Sequence, residues 1–202
     1  MGNNFIGVEE LSSIANKINL SAKALQEDSI PTIPYSEEQL LQYQHTHILI
    51  LAVPFTANGA NLTIMELRSF YGLNPHEKEP CFYNQDWYVK EEFVNKKFET
   101  YQWFLIKKEI IDNTRAKEVN STTNLNKLPS ALICAFTFFA YYYCTNNYLW
   151  KNDFVWCSDT DANGDRIYIG RYFDPTGIAK NGFSIHRHLR LSNMYGQVSL
   201  VN

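Results

Sequence analysis

Charge is scarce in this chain of 202 residues: 18 Lys and Arg stand against 21 Asp and Glu, a net charge of −3. Non-specific binding to nucleic acid needs a concentrated basic surface. The densest basic spots are only Lys96-Lys97, Lys107-Lys108 and His186-Arg187-His188-Leu-Arg190, so nucleic acid is not an expected partner. No Cys-x-x-Cys pair exists among Cys81, Cys134, Cys144 and Cys157. The first residues, Met-Gly-Asn-Asn-Phe-Ile, lack the basic start and apolar stretch of an export signal. The expectation is four reduced, mostly buried thiols in a cytoplasmic protein. Neither Gly-rich phosphate motif occurs, and no Gly-x-Ser-x-Gly marks a nucleophile elbow. The longest uncharged run, Leu128 to Cys144, is at the short end of what spans hydrocarbon, and its three tyrosines need polar partners. It is expected as a core helix, with no membrane involved.

Aromatics are abundant: 13 Phe, 13 Tyr and 4 Trp. That many rings make either a thick core or a stacking surface, and most sit in strand-like or helix-like apolar runs, which favours the core. Apolar spacing predicts a helix over 8–28 with a break near Asn19. Ser36-Glu-Glu-Gln39 and Thr63-Ile-Met-Glu66 are capping boxes, and the helix after Thr63 closes at Gly72. His47 to Val53 is a continuous apolar run ended by Pro54, which predicts a strand buried on both faces. Asp86 caps a further predicted helix, and Tyr101 to Ile106 predicts a strand. Residues 112–127 form the longest polar stretch, expected as a mobile loop. Pro129 opens the core helix over 129–145. Phe154 to Phe173 predicts a hairpin turning at Asn163-Gly164, and Phe183 to Leu191 a last short strand. The fold expected is one α+β domain. In it a mixed or antiparallel sheet of 47–53, 101–107, 154–158 and 166–173 packs on the 129–145 helix.

The hairpin tip carries the chemistry. Asp159, Asp161, Asn163 and Asp165 place oxygens at alternate positions, as a calcium loop begins, but the twelfth position is Gly170 where a bidentate Glu is needed. The alternative is an Asp-rich turn whose carboxylates cap backbone amides. His186 and His188 fall on one face of a strand, about 7 Å apart by the strand rise, a spacing that can hold one divalent metal. Cross-strand pairing with the aspartates competes with a second role for Arg171 and Arg190, which with Tyr168 and Tyr172 suit the binding of an anion or nucleotide.

Asp86-Trp87-Tyr88, the strand Trp103 to Lys108, Pro129-Ser-Ala, Ser158-Asp-x-Asp-x-x-Gly-Asp165 and Gly170-Arg-Tyr-Phe-Asp174 together resemble a family of uncharacterised bacterial proteins, over about residues 80–180. The resemblance implies a bacterial chain and assigns no activity. With no catalytic constellation in the sequence, the expected function is a non-catalytic binding or regulatory protein with a protein partner. The alternative is a metal-dependent hydrolase in which His186, His188 and Asp159 or Asp161 hold a metal that acidifies bound water.

Overall fold

The computed structural model describes residues 2–21, 25, 29–119, 127–177, 181–187 and 191–201. Among them are four α-helices: α1 (Val8–Ile14), α2 (Glu37–Tyr43), α3 (Ile64–Tyr71) and α4 (Ala131–Thr145). The strands are β1 (Phe5–Ile6), β2 (His47–Ala52), β3 (Gln102–Lys107), β4 (Phe154–Thr160), β5 (Arg166–Tyr172), β6 (Gly182–His186), β7 (Tyr195–Gly196) and β8 (Leu200–Val201). The class is α+β in a single domain, as the sequence predicts.

The sheet expected from the sequence is in fact two. β2 and β3 belong to one, in the order β1-β2-β3-β8, and β4 and β5 to the other, in the order β6-β5-β4-β7. The reason lies in α4. It touches β1 and β2 on one side, β4 and β5 on the other, and α1 and α3 besides. Every position from Ala131 to Ala140 is buried, as a helix apolar on all faces requires. The Phe139 ring stacks on Tyr71 at 3.7 Å between centroids and packs near Phe82 and Phe183. Burying one such ring stabilises the fold by roughly 1.5–3 kcal/mol.

Helix ends follow the sequence closely. The Ser36 hydroxyl accepts from the Gln39 N–H, and the Gln39 side chain returns the bond to the Ser36 N–H. Thr63 accepts from the Glu66 N–H at 3.1 Å, but the Glu66 side chain returns no bond to the Thr63 N–H, so only half of that predicted capping box forms. α1 stops at Ile14, runs into a 3-10 turn, and the chain reverses at Asn19 with φ of 55°; much of the remaining predicted helical span lies outside the described residues. The helix predicted from Asp86 is absent. The bonds there run from Val89 N–H to Asp86 and from Glu91 N–H to Tyr88, a 3-10 spacing, and a short 3-10 helix follows at Glu92–Asn95. The Asp86 carboxylate pairs with Arg68, and the Trp87 indole donates to the Ile185 carbonyl at 3.0 Å. These tertiary bonds tie the segment to α3 through Arg68 and to the second sheet through Ile185.

The polar stretch predicted to be mobile is anchored in its first part: Arg115 binds both oxygens of Asp153 and the Asn193 carbonyl, and the Ala116 N–H reaches the Tyr195 carbonyl. Residues 120–126 lie outside the description. At the edge of the first sheet, the Tyr35 hydroxyl accepts from the Leu105 N–H and donates to the Val201 carbonyl. β8 is paired with β3 only at Leu105↔Val201 and Ile106↔Leu200.

Candidate functional site

The β4–β5 hairpin forms as predicted, with a bulge between Trp156 and Thr160. At its tip the Gly164 N–H bonds the Asp161 carbonyl and the Asp161 N–H bonds the Asp165 carbonyl. Gly164, at φ of 86°, takes the left-handed conformation; Asn163 does not. That matches a type I turn followed by a left-handed glycine, not the turn in which both central residues are left-handed. Gly170 has its own reason. A Cβ there would lie 2.0 Å from the Asp153 carbonyl oxygen, so the position that a calcium loop fills with Glu is one where neighbouring backbone leaves no room for a side chain.

The tip carboxylates are occupied by the protein. Asp159 is buried, accepts the Ala131 N–H at 2.7 Å at the start of α4, and receives Lys96 Nζ at 2.6 Å. A carboxylate at a helix N-terminus is favoured by the exposed N–H groups and the dipole there. Asp161 accepts from the Asn163 and Asp165 N–H groups through one oxygen and from Arg187 through the other. Burial pushes its pKa up, but the Arg187 guanidinium and those two N–H groups outweigh burial and leave the carboxyl below its ordinary value. Glu91 closes the ring of contacts, accepting the Ala162 N–H at 2.8 Å.

His186 sits apart from these acids in its own contacts. Its Nε2 is 2.6 Å from the Ser184 hydroxyl, and its ring stacks on Tyr168 and meets Phe154 edge-on. Burial lowers its pKa to about 4, so the imidazole is neutral at pH 7. Ser184 is fully buried, and a nucleophile needs an approach path that a sealed hydroxyl lacks. Among the described residues no group of three or more His, Cys, Asp or Glu side chains is placed to hold a metal ion. His188 and Arg190 lie outside the described residues.

The proposed binding set is divided by the pleat. Tyr168 and Arg171 are an odd number of residues apart on β5 and point to opposite faces. Arg171 turns inward, where it pairs with Glu79 and lies 4.0 Å from the centroid of the Tyr148 ring. Tyr168 turns outward. Tyr172 shares the outward face but pairs with Tyr83 instead. Cys157, on the inward face, is fully buried, and burial raises its thiol pKa well above the usual value.

The outward face is where an unassigned site emerges. Tyr168 is the hub of an aromatic floor: Trp156 at 4.8 Å, Tyr195 at 4.9 Å, His186 at 5.7 Å and Phe154 at 6.2 Å between centroids. Over Trp156 and Tyr168 lies a cavity of about 510 Å³, walled by Arg166, Gly164 and Asp165 from the hairpin and by Glu118, Val119 and Leu191 from the flanking segments. Trp156 is 7% exposed, and its indole N–H is buried with no hydrogen-bond acceptor. A buried donor without a partner carries the full cost of lost hydration, about 1–3 kcal/mol. Sequence reasoning passed over Trp156 and Glu118. The signal for Trp156 was present: Phe154, Trp156 and Tyr168 are the aromatic half of a hairpin whose other half, Val155, Cys157, Ile167 and Ile169, is aliphatic or thiol. Glu118 had none, because it reaches the site only through the anchoring of Arg115.

Comparison with known proteins finds no match for the chain, among family models, curated proteins or solved structures. The family resemblance over residues 80–180 therefore gains no support from it and assigns no residue a role. No helix among the described residues is long and apolar enough to cross a membrane. The large apolar side chains that stay exposed, Ile33, Leu41, Phe55, Tyr172 and Met194, come from five separate segments, so most of the aromatic excess goes to the interior.

Proposed function

We propose that this chain is a non-catalytic binding protein, and that the cavity over Trp156 and Tyr168 receives its ligand. The observation that supports this most is the orphaned indole N–H of Trp156, a residue that lines that cavity. An unpaired buried donor is costly in the free protein and becomes an asset when a ligand supplies the acceptor. The ligand that fits is a compact, partly apolar molecule with one hydrogen-bond acceptor for the indole and polar groups for the Arg166 and Glu118 rim. Three of the titratable groups near the site favour binding over turnover: His186 is neutral and bonded to a sealed hydroxyl, and the Asp159 and Asp161 carboxylates are bound to backbone N–H groups and cations.

A thermal-shift screen of small polar aromatics and heteroaromatics tests the proposal. Ligands are expected to raise Tm for the wild-type chain and to lose most of that shift in Trp156→Phe, which keeps a ring but removes the donor. Arg166→Ala, at the rim, should weaken the same ligands, with a separate loss of stability in the free protein because the guanidinium donates to the Cys157 and Ser158 carbonyls. Ligands that stabilise both variants as well as wild type would move the site elsewhere, and conversion of a ligand to product would overturn the non-catalytic reading.

A further inference from the structure

A second cavity, of about 540 Å³, lies against the first sheet, remote in sequence from the hairpin. Its walls include Gln39 and Tyr43 of α2, His47 of β2, Lys107 of β3, Lys127 and Ser199. Two of these side chains are cationic, and none of the cavity's lining residues carries a carboxylate. Neither Lys107 nor Lys127 makes an ion pair among the described residues. Surface lysines alone would signify little. The buried member of the set is what singles this place out.

His47 is 5% exposed, and the β2–β3 register puts it directly opposite Lys107, so the two share a face. Its Nδ1 lies 2.8 Å from the Thr46 hydroxyl, and the Tyr43 ring meets it edge-on at 4.5 Å. Nε2 has no hydrogen-bond partner among the described residues. When the Thr46 hydroxyl donates to Nδ1, the imidazole proton sits on Nε2 and is a free donor at the cavity wall. A buried imidazole beside an unpaired lysine, with no carboxylate among the described lining residues, is a set suited to an anion.

We infer that this cavity binds a small molecule bearing a compact oxyanion, held by His47 Nε2–H, Lys107 and Lys127. The oxyanion takes charge-assisted bonds from the two ammonium groups, which are stronger than neutral ones. Gln39, Tyr43 and Ser199 add hydrogen-bonding groups for the rest of the ligand. The volume lies in the range of small-molecule sites, large enough for more than a bare ion. This site is independent of the cavity over Trp156, and either can fail without the other.

Calorimetry with inorganic phosphate, and separately with acetate, tests the inference at ionic strength matched by chloride. Saturable binding of either oxyanion is expected. Lys127 is exposed, so Lys127→Met leaves folding intact and should weaken binding about fivefold, while Lys107→Met should weaken it about tenfold. The His47 Nε2 nitrogen resonance should move on saturation, a change that charge screening alone does not produce. Trp156→Phe should leave the affinity unchanged. Absence of saturable heat with both anions, or binding that neither lysine substitution weakens, overturns the inference.

Discussion

In the first sheet, β2 is buried at every position from His47 to Ala52, and its apolar side chains meet other apolar side chains on both faces. In the second, β4 and β5 present Val155, Cys157, Ile167 and Ile169 to the core but Phe154, Trp156 and Tyr168 to a separate outer cluster. Both sheets lean on the same helix, yet they use it differently. The strand covered on both sides supplies stability. Each strand nonetheless keeps, among the described residues, a polar atom without a partner on a residue that lines a cavity: His47 Nε2 in β2 and the Trp156 indole nitrogen in β4. An unsatisfied buried polar group calls for an explanation such as a ligand, so binding is sought beside both sheets, over Trp156 in the second and at His47 in the first.

The comparison breaks most easily at the shared helix. Phe139→Ala is expected to cost about 3–5 kcal/mol in urea unfolding, the range for a large buried ring that leaves a cavity. A loss below about 1 kcal/mol would mean that the two sheets do not share this core. A smaller effect is expected at Asp159, which joins the hairpin to the helix start. Asp159→Ala leaves the Ala131 N–H and Lys96 without their acceptor and should cost about 1–3 kcal/mol. Glu99→Ala serves as the control, because Glu99 pairs with Lys97 and both side chains are exposed; about 0–1 kcal/mol is expected there. Equal losses at the two sites would remove the distinction between the helix-capping acid and a surface ion pair.

A last test is of pH, and in it the two sheets are expected to behave alike. His186 in the second sheet and His47 in the first both have pKa values lowered to about 4, by burial in each case and by Lys107 in addition for His47. An unfolded imidazole takes a proton near pH 6.5. The unfolded state therefore binds more protons than the folded one between pH 6.5 and about 4, and stability falls as pH drops through that window. His186→Gln and His47→Gln should each flatten the fall between pH 6.5 and 5, measured by denaturant midpoint. If neither does, the two rings are already protonated or equally exposed in both states.

Much of the architecture was legible because it is local. The Ser36 and Thr63 caps, the reversal at Asn19, the stop at Gly72 and the uncharged run of α4 each depend on residues a few positions apart. The division into two sheets was not legible, since strands of similar apolar character give no sign of which face of a central helix they will choose. The Asp86 segment failed for a related reason: a good capping residue lost to a tertiary ion pair with Arg68. At the candidate site, the alternation along the hairpin was readable but the cavity was not, because its far wall comes from Glu118, Val119 and Leu191. The pairing of His47 with Lys107 depends on strand register, which the hydrophobic pattern sets only once the partner strand is known.

The Tyr35 phenol at the rim of the first sheet has a kinetic meaning. By taking the Leu105 N–H and passing its own proton to the Val201 carbonyl, it replaces a direct ladder bond with a side-chain relay between β3 and β8. Opening β8 means breaking that relay, two paired positions with β3 and the Lys107 N–H bond to the Ser199 carbonyl, against six paired positions between β2 and β3. The first sheet thus has a built-in order of opening: β8 releases at a fraction of the free energy that would part β2 from β3, and local excursions of this kind can occur while the helix and both sheets stay folded.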